Sequence, residues 1–200
     1  MFIKRKNDKV LKIAYIISRG LEPFWLFLLM GMVIIFSQYF AGYDSFAWGI
    51  GLLLFLGFLP VLAIWLGLKK GKVSDIDFSR KEERTPYIMT VLGFWLSGWI
   101  LTWVLAGPKI ISAVLLAAVV VGIVVLIINF YWKISNHALA ITAVSLFINE
   151  LYNWEYWWLI ILIPVVSWAR WVQKKHTWGQ LIGGTVLGIL FIGLVKLIGY

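Results

Sequence analysis

Long apolar runs alternate with short polar strips along the whole chain, and this pattern predicts its architecture. A helix that crosses a bilayer needs about 20 mostly apolar residues, and fewer suffice where a helix is tilted or re-entrant. The long apolar runs weigh against a membrane barrel, because the strands of a barrel alternate residue by residue. We therefore predict helices over residues 24–40, 46–68, 87–106, 110–132, 138–151, 157–168 and 178–198. The fifth and sixth are short, so the alternative is six spanning helices with one buried or re-entrant helix.

Residues 1–22 follow a different pattern, in which basic and apolar positions interleave. The basic residues of this segment are Lys4, Arg5, Lys6, Lys9, Lys12 and Arg19. Such a pattern is typical of an amphipathic helix that lies on a membrane surface. We do not interpret it as a cleavable signal, because it leads straight into a spanning segment. The chain is thus expected to be an all-α integral membrane protein, a bundle of six to seven transmembrane helices, with a surface arm over 1–22 and one membrane domain over 23–200.

Composition supports a membrane protein and narrows the chemistry. Hydrophobic residues make up 62% of the chain and charged residues only 14%, whereas soluble domains hold about 45–50% and 25%. The absence of cysteine excludes a disulfide scaffold, a thiolate metal site and a cysteine nucleophile. The net charge of +9 favours contact with anionic lipid or phosphate.

Basic residues also predict the orientation of the chain. Of the 18 Lys and Arg residues, only Lys109 and Lys196 fall outside the arm and the second, fourth and sixth loops between the predicted helices. The basic residues of these even-numbered loops are Lys69, Lys70, Lys72, Arg80, Lys81 and Arg84 in the second, Lys133 in the fourth, and Arg170, Lys174 and Lys175 in the sixth. Because cytoplasmic loops carry an excess of Lys and Arg, we expect the arm and the even loops to be cytoplasmic. We expect the protein to lie in the cell membrane.

The two histidines fall on that predicted face, each beside the start of a helix. His137 precedes the helix over 138–151, and His176 precedes the helix over 178–198. A helix N-terminus favours a bound anion, since its free N–H groups point outward. Arginines that could hold phosphate lie on the same face, and they are Arg80, Arg84 and Arg170. This set suits phosphoryl transfer.

The spacing around His176 resembles the third motif of the type 2 phosphatidic acid phosphatases, the lipid phosphate phosphatase superfamily. That motif reads Ser-Arg, five residues, His, three residues, Asp. Arg170, His176 and Gln180 keep the spacing, with Ala169 in place of Ser and Gln180 in place of Asp. The second motif, Pro-Ser-Gly-His, is similar to Ile134-Ser135-Asn136-His137. The first, Lys, six residues, Arg-Pro, has its nearest match at Arg84-Thr85-Pro86, without the Lys.

The resemblance implies a role for each matching residue. His176 would attack phosphorus, His137 would protonate the leaving oxygen, and Gln180 would orient His176. The residues expected to hold the phosphate are Arg170, Ser135, Asn136, Arg84 and Arg80. The resemblance implies no metal and no other cofactor.

Structural interpretations stand beside these roles. Thr177 to Gln180 is a capping-box pattern, so Gln180 could simply start the last helix. Ser135 could be only a helix N-cap. The pairs Gly179 with Gly183 and Gly184 with Gly188 have the spacing that lets a neighbouring helix approach closely.

The predicted function is hydrolysis of a lipid phosphate or polyprenyl diphosphate through a phosphohistidine. The expected partners are the bilayer and that lipid substrate, with no nucleic acid. The alternative is a catalytically impaired phosphatase-like protein that binds lipid or acts as a scaffold. A prenyltransferase or alcohol phosphotransferase ranks lower, because it needs paired aspartate clusters and the chain offers one, Asp75-Ile76-Asp77.

Overall fold

The computed structural model describes residues 2–37, 44–75, 78 and 81–199, and within these residues the chain is all-α, without a strand. The helices are α1 Phe2–Gly20, α2 Pro23–Ile35, α3 Ser45–Leu53, α4 Leu59–Lys69, α5 Lys81–Val104, α6 Lys109–Tyr131, α7 Asn136–Leu151, α8 Leu162–Val172 and α9 Trp178–Gly199. A π-helical turn, Leu54–Phe58, joins α3 to α4, and a 3₁₀ turn, Trp157–Ile161, leads into α8.

Five helical stretches of the described chain are long and apolar enough to cross a membrane. They are Asp8–Ile35, Phe46–Lys69, Glu83–Val104, Lys109–Tyr131 and Trp178–Gly199. A shorter apolar stretch covers Trp157–Val172. The prediction of an all-α chain with several potential membrane helices is therefore confirmed.

The boundaries of three predicted helices differ from those observed. The sixth, 157–168, begins as the 3₁₀ turn and continues as α8 to Val172, so Arg170, expected in the loop that follows, lies inside the helix. The first predicted helix, 24–40, corresponds to α2, which ends at Ile35, and residues 38–40 lie outside the described part of the chain. The third was expected to start at 87, but α5 starts at Lys81 and contains Pro86. Pro86 is the sixth residue of α5 and so lies inside the helix, where it cannot donate the hydrogen bond that other residues make to the carbonyl one turn back.

The chain forms two compact units. The first contains Met1–Leu26 and Ile134–Leu190, and the second contains Phe27–Lys133 and Phe191–Tyr200. These units do not coincide with the predicted arm and membrane domain, and that division stays a prediction. The first unit contains both histidines.

In the first unit, α1 packs along α8. Ala14 has no exposed surface and Ser18 almost none. The side-chain amide of Gln173, just after α8, donates a hydrogen bond to the Ala14 carbonyl at 2.9 Å. The face of α1 that carries Ala14 and Ser18 is thus covered by protein. Elsewhere on the same helix, Leu11, Ile13 and Ile16 are exposed.

Helix α9 approaches α7 closely in the same unit, through two of the glycines with four-residue spacing. A Cβ on Gly184 would lie 2.4 Å from the Ser135 carbonyl oxygen, and one on Gly188 would lie 2.6 Å from the Cβ of Thr142. Both distances are too short for any side chain. The interpretation of Gly184 and Gly188 as a helix-packing pair is therefore confirmed.

Candidate functional site

Three chain segments of the first unit hold Arg170, His176 and His137. Arg170 lies in the last turn of α8, and His176 lies in the connection to α9. His137 is the second residue of α7. All three side chains are buried, with exposed fractions of 2%, 6% and 6%. Burial of charged or ionisable groups in an apolar chain requires partners, and each has them within this unit.

The starts of α7 and α9 are in direct contact. The backbone N–H of Ser135 donates to the backbone carbonyl of Gln180 at 3.2 Å. Gly184 permits this approach, because a larger residue would collide with the Ser135 carbonyl. The segments that resemble the second and third motifs therefore meet in the folded chain.

The His176 ring is held by Gln180. Nδ1 of His176 lies 3.2 Å from Oε1 of Gln180, and the backbone N–H of Thr177 donates to the same oxygen at 3.1 Å. Because the Thr177 N–H is always a donor, the shared atom must be the amide oxygen. The neutral His176 ring then carries its proton on Nδ1 and a lone pair on Nε2.

The capping-box interpretation of Gln180 is also confirmed. The Gln180 backbone N–H lies 3.4 Å from Oγ1 of Thr177, and the Gln180 side chain returns the bond to the Thr177 N–H. This reciprocal pair starts α9. The same side chain therefore caps the helix and contacts His176, so the two interpretations are compatible.

Arg170 is anchored through α1. Its Nη1 donates to Oγ of Ser18 at 2.8 Å, across the contact between α1 and α8. The Arg170 carbonyl accepts from the Lys175 N–H at 3.1 Å, which folds the following loop back toward the end of α8. Sequence reasoning missed Ser18, although its position one turn after Ala14 could have shown a small polar residue on a buried helix face.

His137 lies against a carboxylate that sequence reasoning also missed. Its Nε2 lies 3.1 Å from Oε2 of Glu22, an ion-pair distance when the ring is protonated. The other oxygen of Glu22 pairs with the Arg19 guanidinium. The available signal was local, because Glu22 lies between Gly20, where α1 ends, and Pro23, where α2 begins.

Ser135 and Asn136 lie at the start of α7. Ser135 is the N-cap, and its Oγ accepts from the Ala138 N–H at 3.4 Å, which confirms the capping interpretation. Ser135 is fully buried, whereas Asn136 is exposed at the first position of the helix. Their roles as phosphate ligands stay predictions.

Of the two remaining arginines, the structure describes only Arg84. Arg84 belongs to the second unit, where its Nη1 lies 3.5 Å from Oδ1 of Asn129 on α6. The Asn129 amide in turn donates to Oγ1 of Thr85 at 3.2 Å. Arg80 lies outside the described residues. For both, a phosphate-binding role stays a prediction.

A depression of about 380 Å³ opens beside His176. It is lined by Trp171, Lys174, Lys175, His176, Thr177, Trp178 and Gln180. The rings of Trp171 and Trp178 lie 5.6 Å apart and form one wall. The lining of this depression is therefore both cationic and aromatic.

The unit thus combines a histidine with a fixed tautomer, a buried guanidinium and a second histidine paired with a carboxylate. In chemical terms these are a potential nucleophile, an anion binder and a potential proton donor. Among the described residues, no three His, Asp or Glu side chains are grouped as metal ligands. Comparison of the chain with protein-family models, curated proteins and solved structures finds no match.

Proposed function

We propose that this protein is a membrane lipid phosphatase that hydrolyses a lipid phosphate or polyprenyl diphosphate through a phosphohistidine on His176. The observation that carries the proposal is the Gln180 oxygen, which accepts from Thr177 N–H and so directs the His176 proton to Nδ1. The Nε2 lone pair is then available as a nucleophile near neutral pH.

The first chemical step is transfer of the phosphoryl group. Nε2 of His176 attacks phosphorus, the bond from phosphorus to the lipid oxygen breaks, and its electron pair goes to that oxygen. His137 supplies the proton that the oxygen takes up. Arg170, with its fixed planar guanidinium, stabilises the charge on the phosphoryl oxygens.

The second step returns the enzyme to its starting state. A water molecule gives a proton to His137 as its oxygen attacks the phosphohistidine, the P–N bond breaks, and inorganic phosphate leaves. The Nε2 lone pair is thereby restored. The same histidine acts as acid in the first step and as base in the second, so the protons balance over one turnover.

The proposal extends to the arrangement in the membrane. The chain would form six to seven spanning helices, with residues 1–22 as a surface arm in the cell membrane. The distribution of Lys and Arg favours a cytoplasmic site. A cytoplasmic site favours phosphatidic acid-like lipids and isoprenoid diphosphates made inside the cell as substrates.

The proposal is tested with purified protein in detergent micelles and phosphatidic acid as substrate. We expect wild-type protein to release phosphate and His176→Ala to release less by at least about 10³-fold, because the nucleophile is lost. The phosphate bound to the protein is measured after a rapid quench, with and without acid treatment. We expect the phosphate on the wild-type protein to be lost in acid, since phosphohistidine is acid-labile. Equal release by both proteins would refute the mechanism.

A second candidate, a lipid-phosphate binder without turnover, is favoured by the neutral amide at Gln180. An amide can orient an imidazole but cannot stabilise its positive charge, and loss of the analogous carboxylate in a serine protease costs about 10⁴-fold in turnover. A binder would retain phosphatidic acid without forming a phosphohistidine. Trapping phosphate on His176 would exclude this candidate.

A further inference from the structure

We infer that Glu22 is a positioning residue that prepares His137 as the proton donor. This inference rests on the proposed function, and it assigns a role to a segment that the sequence comparison with the phosphatase motifs does not cover. The juxtaposition that carries it is the Oε2 of Glu22 at 3.1 Å from Nε2 of His137.

The backbone around Glu22 holds its carboxylate in place. Helix α1 ends at Gly20 and α2 begins at Pro23, so Glu22 lies at the junction of two helices. Its backbone carbonyl accepts a hydrogen bond from the Leu26 N–H at 3.2 Å, and this bond closes the first turn of α2. The Glu22 side chain is 13% exposed, and Arg19 holds its second oxygen. The backbone position of Glu22 and its ion pair with Arg19 therefore both constrain the carboxylate.

The chemical consequence for His137 follows from the charge of Glu22. A carboxylate beside an imidazole stabilises the imidazolium, the form that can donate a proton. Because Glu22 engages Nε2, the ring would donate to the lipid oxygen through Nδ1. After donation, the charge of Glu22 favours the tautomer with the proton on Nε2, the ring nitrogen nearest the carboxylate.

The two histidines are then prepared in opposite ways. His176 faces a neutral amide oxygen through Nδ1, so in the neutral ring the proton lies on Nδ1 and Nε2 carries the lone pair. His137 faces a carboxylate through Nε2, which favours the protonated ring. Different partners thus assign the roles of nucleophile and proton donor to two chemically identical side chains.

The test compares two leaving groups in wild type and Glu22→Gln. Phosphatidic acid releases an alkoxide, which needs a proton to depart, whereas para-nitrophenyl phosphate releases a phenolate that leaves without one. We expect Glu22→Gln to lower the rate with phosphatidic acid by about 10- to 100-fold and to change the rate with para-nitrophenyl phosphate by less than about threefold. An exposed acid in the same unit, Glu155→Gln, is the control and should match wild type on both.

Other patterns would overturn the inference. An equal loss on both substrates would show that Glu22 has a structural role. A gain on both would show that its carboxylate competes with the substrate phosphate for the site. If the wild type hydrolyses neither substrate, the proposed function fails as well. If the wild type hydrolyses both and Glu22→Gln shows no selective loss, only the role of Glu22 fails.

A double-mutant cycle provides a second measurement with phosphatidic acid alone. If Glu22 acts through His137, the Glu22→Gln change should have little further effect in a His137→Ala background, within about twofold. Additive losses would contradict the inference. If Glu22→Gln does not fold, Glu22→Asp is the second variant, since it withdraws the carboxylate by one methylene. We expect it to lower the rate with phosphatidic acid selectively as well, but by a smaller factor than Glu22→Gln.

Discussion

At the scale of single residues, the amide oxygen of Gln180 both caps a helix and contacts the ring of His176. The oxygen accepts from the Thr177 N–H and faces Nδ1 of His176, at 3.1 and 3.2 Å. A hydrogen-bond acceptor that already caps the helix is held rigidly, so the imidazole that it contacts is held as well.

Two variants separate these functions of Gln180. Gln180→Ala removes the acceptor for His176 and should lower phosphate release by about 10² to 10⁴-fold, because tautomer and ring orientation are lost. Thr177→Ala removes only the hydroxyl half of the cap and should destabilise the protein by about 0.5–2 kcal/mol with turnover nearly unchanged. Turnover and thermal unfolding are measured on both proteins. Similar turnover in the two would show that Gln180 only starts the helix.

Two residues of the segment 1–22 show where sequence reasoning was incomplete. The pattern of Lys and Arg in residues 1–22 indicated a surface, but Ser18 and Glu22 lie against Arg170 and His137. A serine and a glutamate in a basic segment have no spacing that marks them as site residues. Their role depends on which residues the fold brings within hydrogen-bond distance of them.

At the scale of elements, the close approach of α9 to α7 holds the starts of both helices together. Gly184 and Gly188 lie one turn apart on α9 and face the Ser135 carbonyl and Thr142. The spacing of these glycines predicted a close helix contact, and the structure identifies α7 as the neighbour. The contact matters for the site because Ser135 bonds to the Gln180 backbone there.

Gly184→Ala is expected to destabilise the protein by about 1–3 kcal/mol, because the added Cβ would meet backbone rather than a flexible side chain. Gly193→Ala on the same helix is the matched control, since its Cβ would meet no atom within 4 Å. Alanine there should be neutral or stabilising by up to about 1 kcal/mol, as helix propensity predicts. The midpoint of thermal unfolding in detergent measures both. Equal midpoints for the two variants would contradict the packing argument.

At the scale of the whole molecule, the asymmetry of charge predicts which side of the membrane holds the site. The loop after α8 carries Lys174 and Lys175, whereas Glu155 lies in the connection between α7 and α8. If α8 and its 3₁₀ turn cross the membrane, these two loops lie on opposite sides.

Labelling of single cysteines tests this orientation without interference, because the chain has no cysteine of its own. With a membrane-impermeant maleimide, Glu155→Cys should react in intact cells, and Lys174→Cys should react only after the membrane is opened. The reverse result would put the site outside the cell and favour substrates that are recycled there. Reaction of both in intact cells would contradict a membrane crossing by the intervening segment.

The sequence by itself determined the helical class, the approximate extent of most helices, the capping box at Thr177 and the helix-packing role of Gly184. These features depend on local patterns, since hydrophobic runs, cap residues and glycine spacing act within a few turns of one helix. Only the tertiary structure decided that α5 begins before Pro86, that Ser18 anchors Arg170, and that Glu22 faces His137. Contacts between residues more than 100 positions apart arise from packing, and no local pattern in one sequence encodes which buried polar groups will meet.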